Sequence, residues 1–278
     1  MRLLVSIPVH EQFNVVMDQV ENVQLFNPSA TVVLHISREF KNRFLSRAQF
    51  VESERLLVNP TRLSTARQGL LPIHLSNYLY ARDKAAADAF VLNASNDMYV
   101  SHGAARYIAS HDAIVRPVPL AQDSDWAHIE KVRKHGYLRR LVDHLGGGEI
   151  CASTPEGTAF PRALMDEMAE ILTTRLPYES PSDAYPDEET VLPTIAARLA
   201  SRLGLPFVMS EVTVGRKLDI GVIDEVRART FHTPPKTFYG SAAVYPVYDN
   251  SNLFAVKRVA RRFDDPMRAY IRGLSATA

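Results

Sequence analysis

The chain has 278 residues, 46% hydrophobic and 23% charged, enough apolar mass for a full core in one large domain or two small ones. Its 32 basic and 31 acidic residues leave a formal net charge of +1, which argues against nucleic acid as a partner. The single cysteine, Cys151, excludes an internal disulfide and a cysteine-based metal site.

Residues 3–9, LLVSIPV, form a continuous apolar run of strand length. The run is too short for a membrane span and lacks a signal-peptide cleavage pattern, so it predicts a buried first strand of a cytoplasmic protein. Residues 11–26 follow with Phe13, Val16, Val20 and Val23 at helical spacing. ATVVLHIS, 30–37, predicts a second buried strand, and 38–51 a basic amphipathic helix. RLLVN predicts a third strand, 67–87 a helix that contains Pro72, and DAFVLNAS a fourth strand. Strands alternating with helices argue for the α/β class, a Rossmann-like sheet flanked by helices. Ligands of such sheets lie beyond the carboxyl ends of the strands. Three segments stand there: HEQ at 10–12, SRE at 37–39 and NASNDMYV at 93–100.

Beyond residue 110 the pattern loosens. Residues 125–148 predict one long helix stopped by three glycines, and 160–176 another helix. Residues 174–189 predict a loop, 207–215 a strand, and 229–250 an irregular aromatic stretch before a closing basic helix. With no repeat and no linker, 1–278 reads as a single domain. Residues 1–110 form its nucleotide-type half and 111–278 its acceptor-type half.

There is no GxGxxG after the first strand, no Walker loop, no HExxH and no GxSxG. DSD at 123–125 is either a divalent-cation (manganese or magnesium) acid pair or a helix cap beside Trp126. The sharper signals lie further on. In YPDEETVLPTI, Asp187, Glu188 and Glu189 precede an apolar stripe, and Pro193 fits only a first turn, which puts the helix cap at Thr190. Acids there suit the helix dipole, yet three adjacent charges repel one another. One of them is therefore a candidate catalytic carboxylate. Lys257, Arg258, Arg261 and Arg262 fall within six residues. They read as a solvated basic face or as a clamp for a leaving diphosphate.

Several segments together resemble the core-2/I-branching N-acetylglucosaminyltransferase family, which includes peptide xylosyltransferases. SIPVHEQFNVVMDQVENVQLFNPSATVVLHIS is similar to its first strand–helix–strand, and GLLPIHLSNYLYARDKAAADAFVLNASNDMYV to its helix and central strand. EGTAFPRALMDEM, EETVLPTI and NLFAVKR resemble three later segments in the same order. The resemblance implies a GT-A-like fold, a nucleotide-sugar donor, inversion at the anomeric carbon and no metal cofactor. It places the base at Glu189 when aligned through Thr194, or at Glu188 through PDE. It sets Lys257, helped by Arg258, on the diphosphate, and Val9 and His10 on the nucleotide. Ser37 stands where the family has an aspartate near the nucleotide, which leaves the base and the donor sugar open, with a UDP-sugar as the first expectation. Lacking the cysteine framework of secreted animal members, the chain fits a cytoplasmic bacterial enzyme of surface-polysaccharide synthesis. Its partners would be a nucleotide sugar and a glycan or lipid-linked glycan, with no nucleic acid and with peripheral membrane association through basic helices.

Other residues keep two readings. His10 contacts the nucleotide or bonds locally. Asp97 serves the cleft or a turn. His74 and Asn77, one helical turn apart, face the donor or pack inside. Glu156 touches the acceptor. Tyr239, Tyr245 and Tyr248 stack on a sugar ring or on one another. The rival to an enzyme is a catalytically silent glycan- or nucleotide-sugar-binding protein on the same scaffold.

Overall fold

A computed structural model describes residues 1–38, 47–64, 69–120, 124, 126–180, 185–211, 215–232, 236–237, 244–245 and 252–274, with backbone alone at 236–237 and 244–245. It is a mixed α/β structure with a central mixed sheet flanked by helices. The first strands are β1 (Leu3–Val9), β2 (Thr31–Ile36), β3 (Leu56–Val58) and β4 (Ala89–Leu92), separated by helices α1 (Phe13–Phe26) and α2 (Leu71–Ala81). β5 (Met98–Tyr99), α3 (Ala104–Ala109), β6 (Ala113–Ile114) and β7 (Val118–Pro119) follow. Then come α4 (Ile129–Lys134), α5 (Gly136–His144), β8 (Cys151–Ala152), β9 (Ala159–Pro161), α6 (Arg162–Glu170) and α7 (Val191–Leu199). The chain closes with β10 (Leu203–Gly204), β11 (Val208–Met209), α8 (Ile220–Ala228), β12 (Lys236–Thr237), β13 (Val244–Tyr245), β14 (Ala255–Val256) and α9 (Pro266–Leu274).

The main sheet has seven strands in the order β10-β6-β9-β4-β1-β2-β3. β1 pairs in parallel with β2 and β4, and β2 with β3, whereas β9 runs antiparallel to β4 and β6. Side chains alternate across a strand, and that alternation builds two cores. Leu3, Val5, Ile7 and Val9 face one core with α1, α8 and α9. Leu4, Val33, Phe90 and Leu92 face the other with α2, α5, α6 and α7. A second sheet, β11-β14-β5, sits beside the end of β4.

The structure departs from the sequence expectations in four places. The helix predicted over 125–148 breaks at His135, whose extended backbone (φ −75°, ψ 100°) separates α4 from α5. The closing basic helix begins only at Pro266; residues 255–256 pair as a strand instead. Within the aromatic stretch, β12 and β13 pair antiparallel. Of the basic segment 38–51, residues 39–46 lie outside the described residues and Arg47–Gln49 form one short 3-10 turn.

α9 is fastened to α1 by an internal ion pair. Arg268, fully buried, donates through Nη1 to Asp18 Oδ2 at 2.6 Å and through Nε to the Ala260 carbonyl at 3.1 Å. Arg272 reaches the same Asp18 oxygen at 3.3 Å. These bonds fix the approach of the segment that carries Lys257.

Candidate functional site

Three elements converge beyond the carboxyl end of β4. The loop that leaves β4 is held by α1, where Gln19 Nε2 donates to the carbonyls of Ala94 (2.7 Å) and Asp97 (2.9 Å). Asp97 Oδ2 accepts the Ala94 N–H three residues back at 2.7 Å, which closes the loop on itself. Its Oδ1 is buried with no hydrogen-bond partner among the described residues. Burial, reinforced by Glu156 and opposed by Lys257, pushes the Asp97 carboxyl up to about 8.

Glu156 comes from the turn before β9. Gly157 beside it has φ +76°, and a Cβ there would stand 2.5 Å from the Val208 amide nitrogen, so only glycine lets this turn approach β11 so closely. Its N–H donates to the Leu92 carbonyl at 2.9 Å, tying the turn to β4.

Lys257 enters from β14, its N–H bonded to the Met209 carbonyl at 2.8 Å. Its ammonium forms an ion pair with Glu156 Oε1. Burial works against the charge, yet Glu156, Asp97 and Glu189 outweigh it, and the Lys257 pKa lies above the ordinary lysine value. The next residue, Arg258, is left-handed at φ +69°, a strained conformation for a side chain that large. That turn brings the Val259 N–H to the Asn96 carbonyl at 3.1 Å, closing the tail onto the Asp97 loop. Arg258 itself pairs with Glu211 at 3.2 Å.

Glu189 is half-buried, and its charge acts on Lys257. Its carbonyl accepts the Ser153 N–H at 2.8 Å. Two residues further back, Cys151 exchanges two bonds with Thr194 Oγ1, at 3.0 and 3.2 Å. The cap falls at Thr190, where the sequence puts it. Glu188, the other candidate base, is buried. Burial raises the Cys151 thiol to about 11, which leaves it an unreactive core group.

Other predicted residues sit elsewhere. Val9 and Ser37 lie fully buried at the adjoining ends of β1 and β2, with the Ser37 N–H on the Val9 carbonyl at 3.4 Å. His10 is half-buried and lines a cavity of about 530 Å³ with Gln12, Asn14, Arg261, Arg262 and Phe263. His74 and Asn77 do not reach the cleft. Ser6 Oγ bonds His74 Nδ1 at 2.8 Å and Asn77 Nδ2 at 2.9 Å, beneath the sheet. Burial, with His35 adding, lowers the His74 pKa to about 3, so the ring is a neutral core group. Tyr239 and Tyr248, like Asp123 and Asp125, fall outside the described residues; of Tyr245 only the backbone is described, in β13. Among the described residues no cluster of three or more His, Cys, Asp or Glu could hold a metal ion.

One residue of the site is placed by the sequence only within HEQ at 10–12 and is not singled out there. Glu11 is buried, accepts from Ser95 Oγ at 2.7 Å and from the His10 N–H at 2.9 Å, and meets Arg261 Nε at 3.0 Å. Its signal was an acid set directly after an apolar strand and before a helix. It links the cavity to the Asp97 loop.

No protein-family model matches the chain, and no curated protein matches it. Among the solved structures that resemble it are two with low scores. One is S. aureus TarS, at a TM-score of 0.40 and 14% identity, over 74% of this chain and 35% of TarS, so the chain spans about a third of that protein. The other is an active-site mutant of LgtC, at a TM-score of 0.39 and 9% identity, over 99% of this chain and 95% of that one. Likeness at this level carries no conclusion about chemistry, which rests on the site geometry.

Proposed function

We propose that the chain is an inverting, metal-independent glycosyltransferase of GT-A-like architecture. It moves a sugar from a nucleotide-sugar donor, first of all a UDP-sugar, to a hydroxyl of a glycan or lipid-linked glycan. The observation that carries this reading is the meeting of Lys257, Glu156 and Asp97 beyond the end of β4, with the Glu189 charge acting on the same lysine.

The acceptor oxygen attacks the anomeric carbon, and the bond from that carbon to the diphosphate oxygen breaks with its electrons. Glu189 takes the acceptor proton. Lys257, helped by Arg258, meets the charge that grows on the diphosphate. Glu156 already neutralises Lys257, so the arriving diphosphate exchanges one anion for another instead of facing a bare buried cation. Residues 1–110 supply most donor contacts and 111–278 the acceptor and catalytic groups. The setting is the bacterial cytoplasm, in surface-polysaccharide synthesis, with peripheral docking on the membrane through basic helices. Among the described residues no helix is long and apolar enough to cross a membrane.

The test is calorimetric titration with UDP, GDP and CMP, each with EDTA and again with manganese. UDP binding that survives EDTA is expected; binding only with manganese would overturn the metal-free mechanism. Glu189→Gln should lower turnover by about 10²–10⁴-fold and leave UDP affinity unchanged. One observation favours a silent binding protein: Lys257 and Arg258 both have internal partners, Glu156 and Glu211. Tight glycan binding with neither transfer nor donor hydrolysis would select it.

A further inference from the structure

Three adjacent acids occupy two different environments. Glu189 is half-buried, but Asp187 is 0% exposed and Glu188 5%. Asp187 accepts from the Tyr178 hydroxyl, from its neighbour's N–H at 3.0 Å and from the Leu71 N–H at 3.4 Å. Glu188 Oε2 accepts the Leu70 N–H at 2.8 Å. Leu70 and Leu71 begin α2, so the two carboxyls cap that helix from a distant part of the chain. The fit is close: Gly69 has φ +62°, and a Cβ there would lie 1.9 Å from Asp187 Oδ1. Among the described residues neither acid has a salt bridge.

Two buried carboxyls in contact and without a cation cannot both ionise. We propose that Asp187 and Glu188 share one proton as a carboxyl–carboxylate pair, and that this pair is a positioning device that locks Glu189 toward Lys257. The positioning part rests on Glu189 being the base. The pair pins residues 187–188 to α2 while the Glu189 carbonyl is pinned to Ser153. Glu189 is thereby held at both ends of one short turn, and Glu188, protonated and enclosed, has no part in taking the acceptor proton.

Burial drives both carboxyls upward, Glu188 well above its ordinary value with Asp187 and Glu189 adding to the shift. The titratable groups that face the pair are Tyr178, Tyr185 and Glu189; α2 presents backbone N–H groups there. Beyond them His135 touches the Tyr185 ring, at 5.7 Å between centroids. A raised carboxyl pKa stabilises the fold below the ordinary carboxyl range, and that contribution is lost as pH rises through the pair's titration. Wild-type protein should therefore lose melting temperature from the ordinary carboxyl range upward, and kcat as the pair gives up its proton; this falling stretch is the alkaline limb of each curve.

Glu188→Gln replaces the shared proton with an amide donor that does not titrate, and its Oε1 still accepts from Leu70. Expected are a kcat at pH 7 within about threefold of wild type and a flattened alkaline limb in both melting and kcat. Glu188→Ala should lower kcat at least about tenfold with UDP affinity unchanged, a loss that Gln rescues. A Glu188→Gln variant with the same alkaline limb as wild type in melting would overturn proton sharing. If Glu188→Gln is dead and Glu189→Gln active, Glu188 is the base and the positioning role is wrong. If neither wild type nor any variant transfers sugar, the glycosyltransferase reading fails, and the melting curves alone still decide whether the proton is shared.

Discussion

Two carboxyl pairs lie in the site, and they differ by one cation. Asp97 and Glu156 enclose Lys257; Asp187 and Glu188 enclose none among the described residues. In the first pair the ammonium absorbs the charge of one acid, while burial leaves the other near its titration point. In the second, hydrogen bonds and a proton do the work of the cation. Sequence spacing does not separate the cases, because acids look alike in one dimension. What separates them is which backbone and which basic side chain the fold brings within reach.

Removing the cation is the sharpest way to break the contrast. Lys257→Ala leaves Glu156 and Asp97 facing each other without a cation, as the second pair is. It should cost about 3 kcal/mol of stability by urea unfolding and at least about a hundredfold in turnover. If stability holds, the ion pair is not what allows Glu156 to be buried. Gly69→Ala acts on the other pair by driving a Cβ into Asp187 and straining φ +62°. A loss of roughly 1–3 kcal/mol is expected, with kcat falling more than UDP affinity. A neutral result would mean the loop before α2 gives way freely. The effect of Asp97→Asn is smallest at low pH. The Asp97 pKa is raised to about 8, so its neutral form stabilises the fold at low pH and that contribution fades as pH rises toward 8. Asparagine stays neutral, so the difference between the two melting-versus-pH curves should be near zero below the carboxyl range and grow above it. Parallel curves would show that Asp97 titrates in the fold as it does in the unfolded chain.

Much of the fold was legible because its signals are local. The apolar runs of β1, β2 and β4, and the Thr190 cap enforced by Pro193, need only neighbouring residues to be read. The errors share a distant cause. His74 and Asn77 do lie on one helical face, but that face meets Ser6, 68 and 71 residues earlier in the chain, and so is spent on the sheet. The basic tail carries helical spacing, yet Ala255 and Val256 find strand partners in β11 and β5, and the left-handed Arg258 ends the run. Of the site, Lys257, Glu156 and Asp97 were named separately; that they meet depends on a turn only Gly157 permits.

The Asp18–Arg268 pair has a consequence in time. Its members are 250 residues apart, so Asp18 leaves the ribosome long before its cation exists. At synthesis rates of roughly 5–20 residues per second that wait is about 12–50 s. During it β1 and α1 can pair with their neighbours, but the acid in the buried face of α1 stays uncompensated. The helix that lets α1 settle is therefore made 250 residues after it.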